Sequence, residues 1–386
     1  MTGARIAIVY DCFFPATTGG GERVYRAMAE RFVERGCSVD YLTRAVATDD
    51  VPAGVRVVPL WSGEIYDANG TRAIGPALAY ARAVARYLRA HEGTYDAVIA
   101  SALPVLTLLA ARWGLRRTRV PVVGDWLEVW SSRTWRKYSG ALAGTAAWVL
   151  QLIAARATPH HTANSAFTAD RLAALGAGRP IVLGLVDLVE SAPRGTLPAT
   201  PGALLVVGRH IPDKRLESIP AAVAELRRRG RTVTASIVGS GPSTPEIVDA
   251  VRTSSVEREV VITGRVSDLE LESLYARAAA LILPSQREGF GLVVAEAAAH
   301  GVPSVVVAAE DNAAAELIES GVNGEIAATA GAGDLADAIE RVLDGGETLR
   351  ASTARWFAGA RRDRSLSSSV DAIVDRLSLD AGPRRG

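Results

Sequence analysis

Short β-branched runs alternate with segments of helical period along this chain, and they do so twice, on either side of the aperiodic stretch "ESAPRGTLPATPG" at residues 190–202. That alternation is what a parallel sheet crossed by helices requires, so the fold class is α/β. The first half offers strands at "ARIAIVYD", "SVDYLT", "VRVVPL", "YDAVIAS", "PVVGDW", "HHTANS" and "PIVLGLVD"; the second at "ALLVVGR", "TASIVGSG", "EVVITG", "LILPS", "PSVVVAA" and "GEIAAT". Between the first two strands, Val24, Ala27, Met28 and Phe32 recur at helical spacing and Gly36 supplies the stop, which completes one βαβ unit. At 386 residues the chain exceeds what one core usually serves, so two domains are expected. They are placed at 1–190 and 203–360, joined by a Pro/Ser/Thr/Gly linker at 191–202. The tail, 361–386, carries one amphipathic helix on Leu366, Val370, Ile373, Val374 and Leu377, expected to pack back on the first domain before the end frays.

A formal net charge of +1 with 22% charged residues shows no basic bias of the kind nucleic acid demands, so no nucleic-acid partner is expected. Cys12 and Cys37 are too few for a disulfide scaffold or a thiolate zinc cluster. "MTGARIAIVYDCFF" runs straight into a strand without a signal-like apolar core, and the expected location is the cytoplasm. Residues 140–156, "GALAGTAAWVLQLIAAR", are uncharged up to Arg156 but short of a bilayer span. They read as a helix buried inside a domain, with shallow peripheral membrane contact through Trp148 and Leu150 as the alternative.

Open parallel sheets bind ligands beyond the carboxyl ends of their strands, so functional motifs should follow strands, and two such domains facing each other would share a cleft. After the first strand comes "PATTGGGERV", whose Gly19, Gly20 and Gly21 open a helix; glycines allow close approach, and a helix N-terminus offers unpaired N–H groups to phosphate. The spacing is not that of the dinucleotide fingerprint, and a sharp turn is the plainer reading. After the first strand of the second half, Arg209 and Lys214 stand in "VVGRHIPDKRLES", able to converge on one anion. Lys137 and Lys214 are the only lysines among 43 basic residues, and an ammonium point charge suits a phosphate oxygen. After "LILPS", the stretch "QREGFGLVVAEAAAHG" sets Glu288 before a helix opened by Phe290, Gly291 and Leu292, with Glu296 a turn and a half inside. Burying an unpartnered carboxylate is costly, and acceptor-only oxygens at both ends of so apolar a segment suit hydroxyl donors such as a sugar offers.

These residues carry a resemblance. "LYARAAALILPSQREGFGLVVAEAAAHGVPSVV", with "VGRHIPDKR" and "IVGSGP" before it and "AAAELIESGVNGEI" after it, resembles the donor-binding half of the retaining glycosyltransferases of family four. "DCFFPATTGGGERV" is similar to that family's N-terminal glycine loop. The resemblance is strong over 203–330 and weak over 45–200. It implies a GT-B fold, two Rossmann-like domains whose parallel sheets face a central cleft, and a nucleotide-sugar donor with a hydroxyl acceptor of unknown identity. It further implies that Glu296 holds the ribose and Glu288 the transferred sugar. Arg209 and Lys214 would clamp the diphosphate with N–H groups near Phe290, Gly291 and Leu292, and Gly20 and Gly21 would close over the donor. Configuration would be retained without a protein nucleophile. No cofactor beyond the co-substrate is implied, and no metal, since no Asp-x-Asp pair occurs.

Two departures matter. Relatives often place a His in the loop after the strand matching "PVVGDW", where this chain has Leu127. Of its five histidines, His91, His160, His161, His210 and His300, none is an obvious replacement, and His160 and His161 read as structural. Asp125 or Glu128 is expected to take over contact with the sugar. The common Asn-Gly-x-Asp reads "GLVD" and keeps only Asp187. "GGGERV" and "DWLEVW" resemble mannosyltransferase-like relatives that use GDP-mannose, and a UDP-sugar stays open as donor. Two rivals also stay open: a GT-B epimerase or phosphorylase, and a non-catalytic nucleotide-sugar-binding partner of an active transferase.

Overall fold

The computed structural model describes residues 3–17, 19–65, 72–190 and 199–379, so most of the expected linker lies outside the described residues. The chain divides into two compact units, residues 1–188 with 364–386, and residues 189–363. In chain order the first unit contains β1 (Arg5–Val9), α1 (Gly20–Glu34), β2 (Ser38–Arg44), β3 (Val55–Trp61), α2 (Ile74–Ala90), β4 (Ala97–Ser101) and α3 (Val105–Gly114). It continues with β5 (Val122–Trp126), α4 (Ser132–Ser139), α5 (Ala141–Ala155), β6 (His160–Ala163), α6 (Ala166–Ala174) and β7 (Ile181–Val182). The second unit contains β8 (Ala203–Val207), α7 (Ile219–Arg228), β9 (Thr234–Val238), α8 (Thr244–Thr253), β10 (Val260–Gly264), α9 (Asp268–Arg277) and β11 (Ala280–Leu283). Then come β12 (Arg287–Glu288), α10 (Leu292–Ala299), β13 (Ser304–Val307), β14 (Asp311–Asn312), β15 (Gly324–Ala327) and α11 (Ala332–Asp363), kinked at Gly346. The chain then returns to the first unit as α12 (Leu366–Leu377).

In the first unit the strands order β3-β2-β1-β4-β5-β6-β7, all parallel. Helices cover both faces, which is why β4 and β5 are buried at every position. Helix α1 buries Val24, Tyr25, Met28, Ala29 and Phe32, the stripe expected of an amphipathic helix, and Gly36 follows with φ +80, a conformation that suits glycine. The second unit orders β10-β9-β8-β11-β13-β15, with a separate two-stranded pairing of β12 and β14. One core cluster packs Leu204, Val206, Ile237 and Ile282 against α7 and α11, and another packs Leu205, Leu281, Leu283 and Val306 against α9 and α10. Each six- or seven-stranded order reverses beside its first strand, between β1 and β4 and between β8 and β11. Such switch points open a crevice beyond the carboxyl ends of the strands.

Two expectations change in the first unit. "PIVLGLVD" is strand only at Ile181–Val182; the rest forms a clasp on the returning chain. Gly184 N donates to Ser369 Oγ at 2.8 Å, and Val186 N to Arg364 O at 3.2 Å. Asp187 accepts from Leu366 N at 2.7 Å and Ser365 Oγ at 2.9 Å, capping α12. A Cβ on Gly184 would lie 2.2 Å from the Arg364 carbonyl carbon, so a glycine is needed there. Helix α12 buries Leu366, Val370, Ile373, Val374 and Leu377, and packs against α1. The second change concerns α5, which is not a buried helix. Its inner side, Gly144, Gln151, Ala154 and Ala155, is buried, but its outer side is open, with Leu142 90% exposed. Leu150 packs on the core instead. Among the described residues no helix is long and apolar enough to cross a membrane.

Candidate functional site

Strands β8 and β11 are hydrogen-bonded neighbours running in parallel, with Leu204 opposite Ala280, so the loops that follow them emerge at one edge. The chain after β8 passes Arg209 and tightens into a 3-10 turn at Pro212–Lys214. The chain after β11 passes Ser285 into β12. The two loops are bonded to each other: Lys214 Nζ donates to Glu288 Oε1, and Ser285 Oγ donates to the same oxygen at 2.7 Å. Beside them Arg287 pairs with Asp213, and Gln286 N donates to Asp213 O at 2.8 Å. Lys214 and Glu288, placed by the sequence on different parts of a donor, thus form one ion pair whose carboxylate is 11% exposed. Arg209 is exposed and has no side-chain hydrogen bond or ion pair among the described residues.

The support of this edge was less visible in the sequence. Asn312 Nδ2 donates to Ser285 O at 3.1 Å and Val307 O at 2.9 Å, while its Oδ1 accepts from Ala314 N at 3.0 Å. That amide ties β14 to the loop carrying Glu288. The β9 loop comes so close to the β8 loop that a Cβ on Gly239 would lie 1.9 Å from Gly208 O. The motif "VGSGP" carried this signal, since only a glycine permits such an approach.

Gly291 precedes α10 in the left-handed region, φ +94, and α10 starts at Leu292, leaving its first N–H groups without intrahelical acceptors. Phe290 is half-buried against the core below. A Cβ on Gly291 would lie 2.6 Å from Ala314 Cβ. Gly291→Ala is therefore expected to lower stability by about 1–3 kcal/mol, measured by urea titration. Glu296 is half-buried on α10 and accepts from Tyr275 Oη at 2.7 Å. Tyr275 is itself stacked on His300, ring centroids 5.5 Å apart, whose Nε2 lies 3.3 Å from Glu272. Burial pushes the His300 imidazole below its ordinary value, with Glu272 and Glu296 pulling the other way.

In the first unit, Gly20 is the exposed first residue of α1, and Gly21 sits where β1 and β5 end: a Cβ there would lie 3.0 Å from both Tyr10 Oη and Leu127 Cδ1. Leu127 therefore packs beside the glycine loop. Asp125 lies inside the first unit. It is fully buried, its Oδ2 accepts from Tyr25 Oη and its Oδ1 from Thr162 Oγ1, each at 2.5 Å. Burial raises its carboxyl, opposed by those two hydrogen bonds. Because β5 has helices on both faces, alternation along the strand turned Asp125 into one interior layer rather than toward a ligand. Glu128 is half-buried and accepts from Trp130 Nε1 at 2.5 Å. Sequence reasoning missed Asp11 and Arg72, an ion pair of 2.8 Å beyond the ends of β1 and β4, with the Arg72 guanidinium also donating to Leu103 O at 3.3 Å. His161 lies in β6 and accepts at Nδ1 from Trp126 Nε1 at 3.1 Å, a packing role.

Residues 201–345 match the glycosyl transferases group 1 family, and residues 19–183 the glycosyl transferase 4-like domain. The chain is 30% identical over 395 residues to the D-inositol 3-phosphate glycosyltransferase of Actinosynnema mirum, covering 92% of this chain and 91% of that protein. It belongs to the family-four type of GT-B glycosyltransferases. This transferase is also 34% identical over 175 residues to the alpha-D-kanosaminyltransferase of Streptomyces kanamyceticus, but that match spans only 44% of the relative's length. Its fold is shared with Anabaena Alr3699/HepE in complex with UDP and glucose, at a TM-score of 0.71 and 20% identity over 98% of this chain and 100% of that one. The transferase therefore has a GT-B fold built from the two parallel sheets described above.

Proposed function

We propose that this transferase moves a sugar from a nucleoside diphosphate donor, GDP-mannose or a UDP-sugar, to a hydroxyl acceptor with retention of configuration and without a metal. The observation that carries the reading is the meeting of Lys214, Ser285 and Glu288 at the switch point of the second sheet, in the loop that leads into α10. A cation there, with Arg209 exposed at the end of β8 and the N–H groups of α10 nearby, can stabilise the charge that grows on a leaving diphosphate. Glu288 and Glu296 then accept from sugar and ribose hydroxyls, Gly20 and Gly21 approach the donor, and Glu128 stands in for the His replaced by Leu127. A donor is further supported by the UDP and glucose held by the Anabaena protein of like fold. The acceptor is assigned to polysaccharide or glycoconjugate synthesis, with the enzyme in the cytoplasm at the inner face of the membrane.

The test is turnover of the purified chain with UDP-sugars and GDP-mannose in excess chelator. The expected outcome is release of nucleoside diphosphate, within twofold of the rate in magnesium or manganese, and a product of retained anomeric configuration. Near-total loss restored by manganese overturns the metal-free charge assignment. One observation favours a rival: Leu127 offers no hydrogen bond to a sugar beside Gly21, as a non-catalytic donor-binding partner would tolerate. Turnover read beside thermal shift separates the two: a donor at 100 times its Kd adds about 2.7 kcal/mol in either case, and only a transferase also releases nucleoside diphosphate.

A further inference from the structure

We infer that the face of the first unit formed by α4, α5 and the end of α3 docks on an anionic bilayer surface. The inference rests on the membrane-face part of the proposed function and goes beyond it in assigning the residues. Helix α5 contains no charged side chain, and Leu142, Ala146, Val149 and Ile153 fall at i, i+4, i+7 and i+11, a single stripe about 16 Å long. Leu142 is 90%, Val149 43% and Ile153 52% exposed, so the apolar side chains of the stripe stand open to solvent. The stripe does not include Trp148 or Leu150, the residues the sequence suggested.

The hairpin that presents this stripe is held firmly. A Cβ on Gly144 would lie 2.4 Å from Trp135 O, so α4 and α5 touch at backbone level. Gln151 Oε1 accepts from Trp135 Nε1 at 3.0 Å and Trp130 N at 3.1 Å, and its Nε2 donates to Trp130 O at 2.8 Å. On α4, Arg133, Arg136 and Lys137 are exposed. At the far end of α5, Arg112 Nε donates to Ala157 O at 3.0 Å, bringing in the end of α3. There Trp113 is 61% exposed with the Arg116 guanidinium 4.1 Å above its ring. Alongside lies a cavity of about 320 Å³ lined by Arg112, Arg119, Arg376 and His160 and by no carboxylate.

Charge selects the occupant. From Pro104 to Ala169 the sequence carries eight arginines and lysines and two acids, of which Asp125 is fully buried. A second copy docking face to face would set basic rim against basic rim, which is repulsive. An anionic bilayer offers an apolar layer to the stripe and negative headgroups to the rim, the geometry of an interfacial amphipathic surface.

The experiment is co-sedimentation of the full chain with vesicles of phosphatidylcholine alone and of phosphatidylcholine containing phosphatidylglycerol. Binding to the anionic vesicles only, weakened by added salt, is expected. The double variant Leu142→Asp, Ile153→Asp, and separately Arg133→Gln, Arg136→Gln, Lys137→Gln, should each lower partitioning by roughly tenfold or more. Melting temperature and donor turnover, measured on the same samples, should stay at wild-type values, so failure of docking and failure of the transfer reaction are read separately. The inference is overturned if anionic vesicles bind no more chain than neutral ones, or if both variants bind like wild type. A concentration-dependent dimer that Leu142→Asp abolishes, without vesicle binding, also overturns it in favour of self-association.

Discussion

Lys214→Ala is expected to lower kcat by roughly 10²–10³-fold, with donor KM changing much less. Removing one preorganised group aimed at developing charge typically costs about 2.7–4 kcal/mol of barrier. Lys214 also pairs with Glu288, so the substitution leaves that carboxylate with Ser285 Oγ as its remaining described donor and loosens the junction of the β8 and β11 loops. Lys214→Arg should not rescue, because a planar guanidinium fork cannot replace a compact ammonium held between two loops. Steady-state kinetics with the folded fraction checked by circular dichroism decides the point. Turnover within twofold of wild type would falsify the assignment.

Asp125→Ala is expected to have the largest effect on stability, with little on the chemistry of the molecules that fold. The change leaves the hydroxyls of Tyr25 and Thr162 facing an apolar gap, at about 1–3 kcal/mol for each buried group that loses its partner. The pH dependence follows from the raised carboxyl. A group whose folded-state value lies above its unfolded one contributes fully below the unfolded value and loses that contribution as pH rises through the folded one. The stability difference between wild type and Asp125→Ala should therefore grow as pH falls toward the ordinary aspartate value of 3.8. Urea titrations across pH measure it. If Asp125→Ala folds as stably as wild type but loses kcat, the residue meets substrate after all.

The sheets were legible because strands covered on both faces leave unbroken apolar runs, as β8 and β11 do. The same property hid the role of Asp125: where both faces are interior, alternation says nothing about which side chain reaches a ligand. β12 and β14 have two residues each, too few to leave a period. Lys214 and Glu288 could each be singled out by chemistry, but these two residues, 74 apart in the chain, pair only because β8 and β11 are neighbours. Asp11 and Arg72 meet for a like reason, across the switch of the first sheet. For α5 the composition was visible and the burial was not, because exposure of one side follows from where α4 packs.

The clasp that Gly184, Val186 and Asp187 make on residues 364–369 bears on how the chain is made. The second unit is interposed in the first, so during synthesis the first unit must wait, without α12, while residues 189–363 are produced. In that interval the apolar side of α1 that α12 covers is open to solvent, an opportunity for chaperones or for misassociation between nascent chains. A chain released at residue 363 would thus hold one finished unit and one incomplete one, and it would be the earlier of the two that is unfinished.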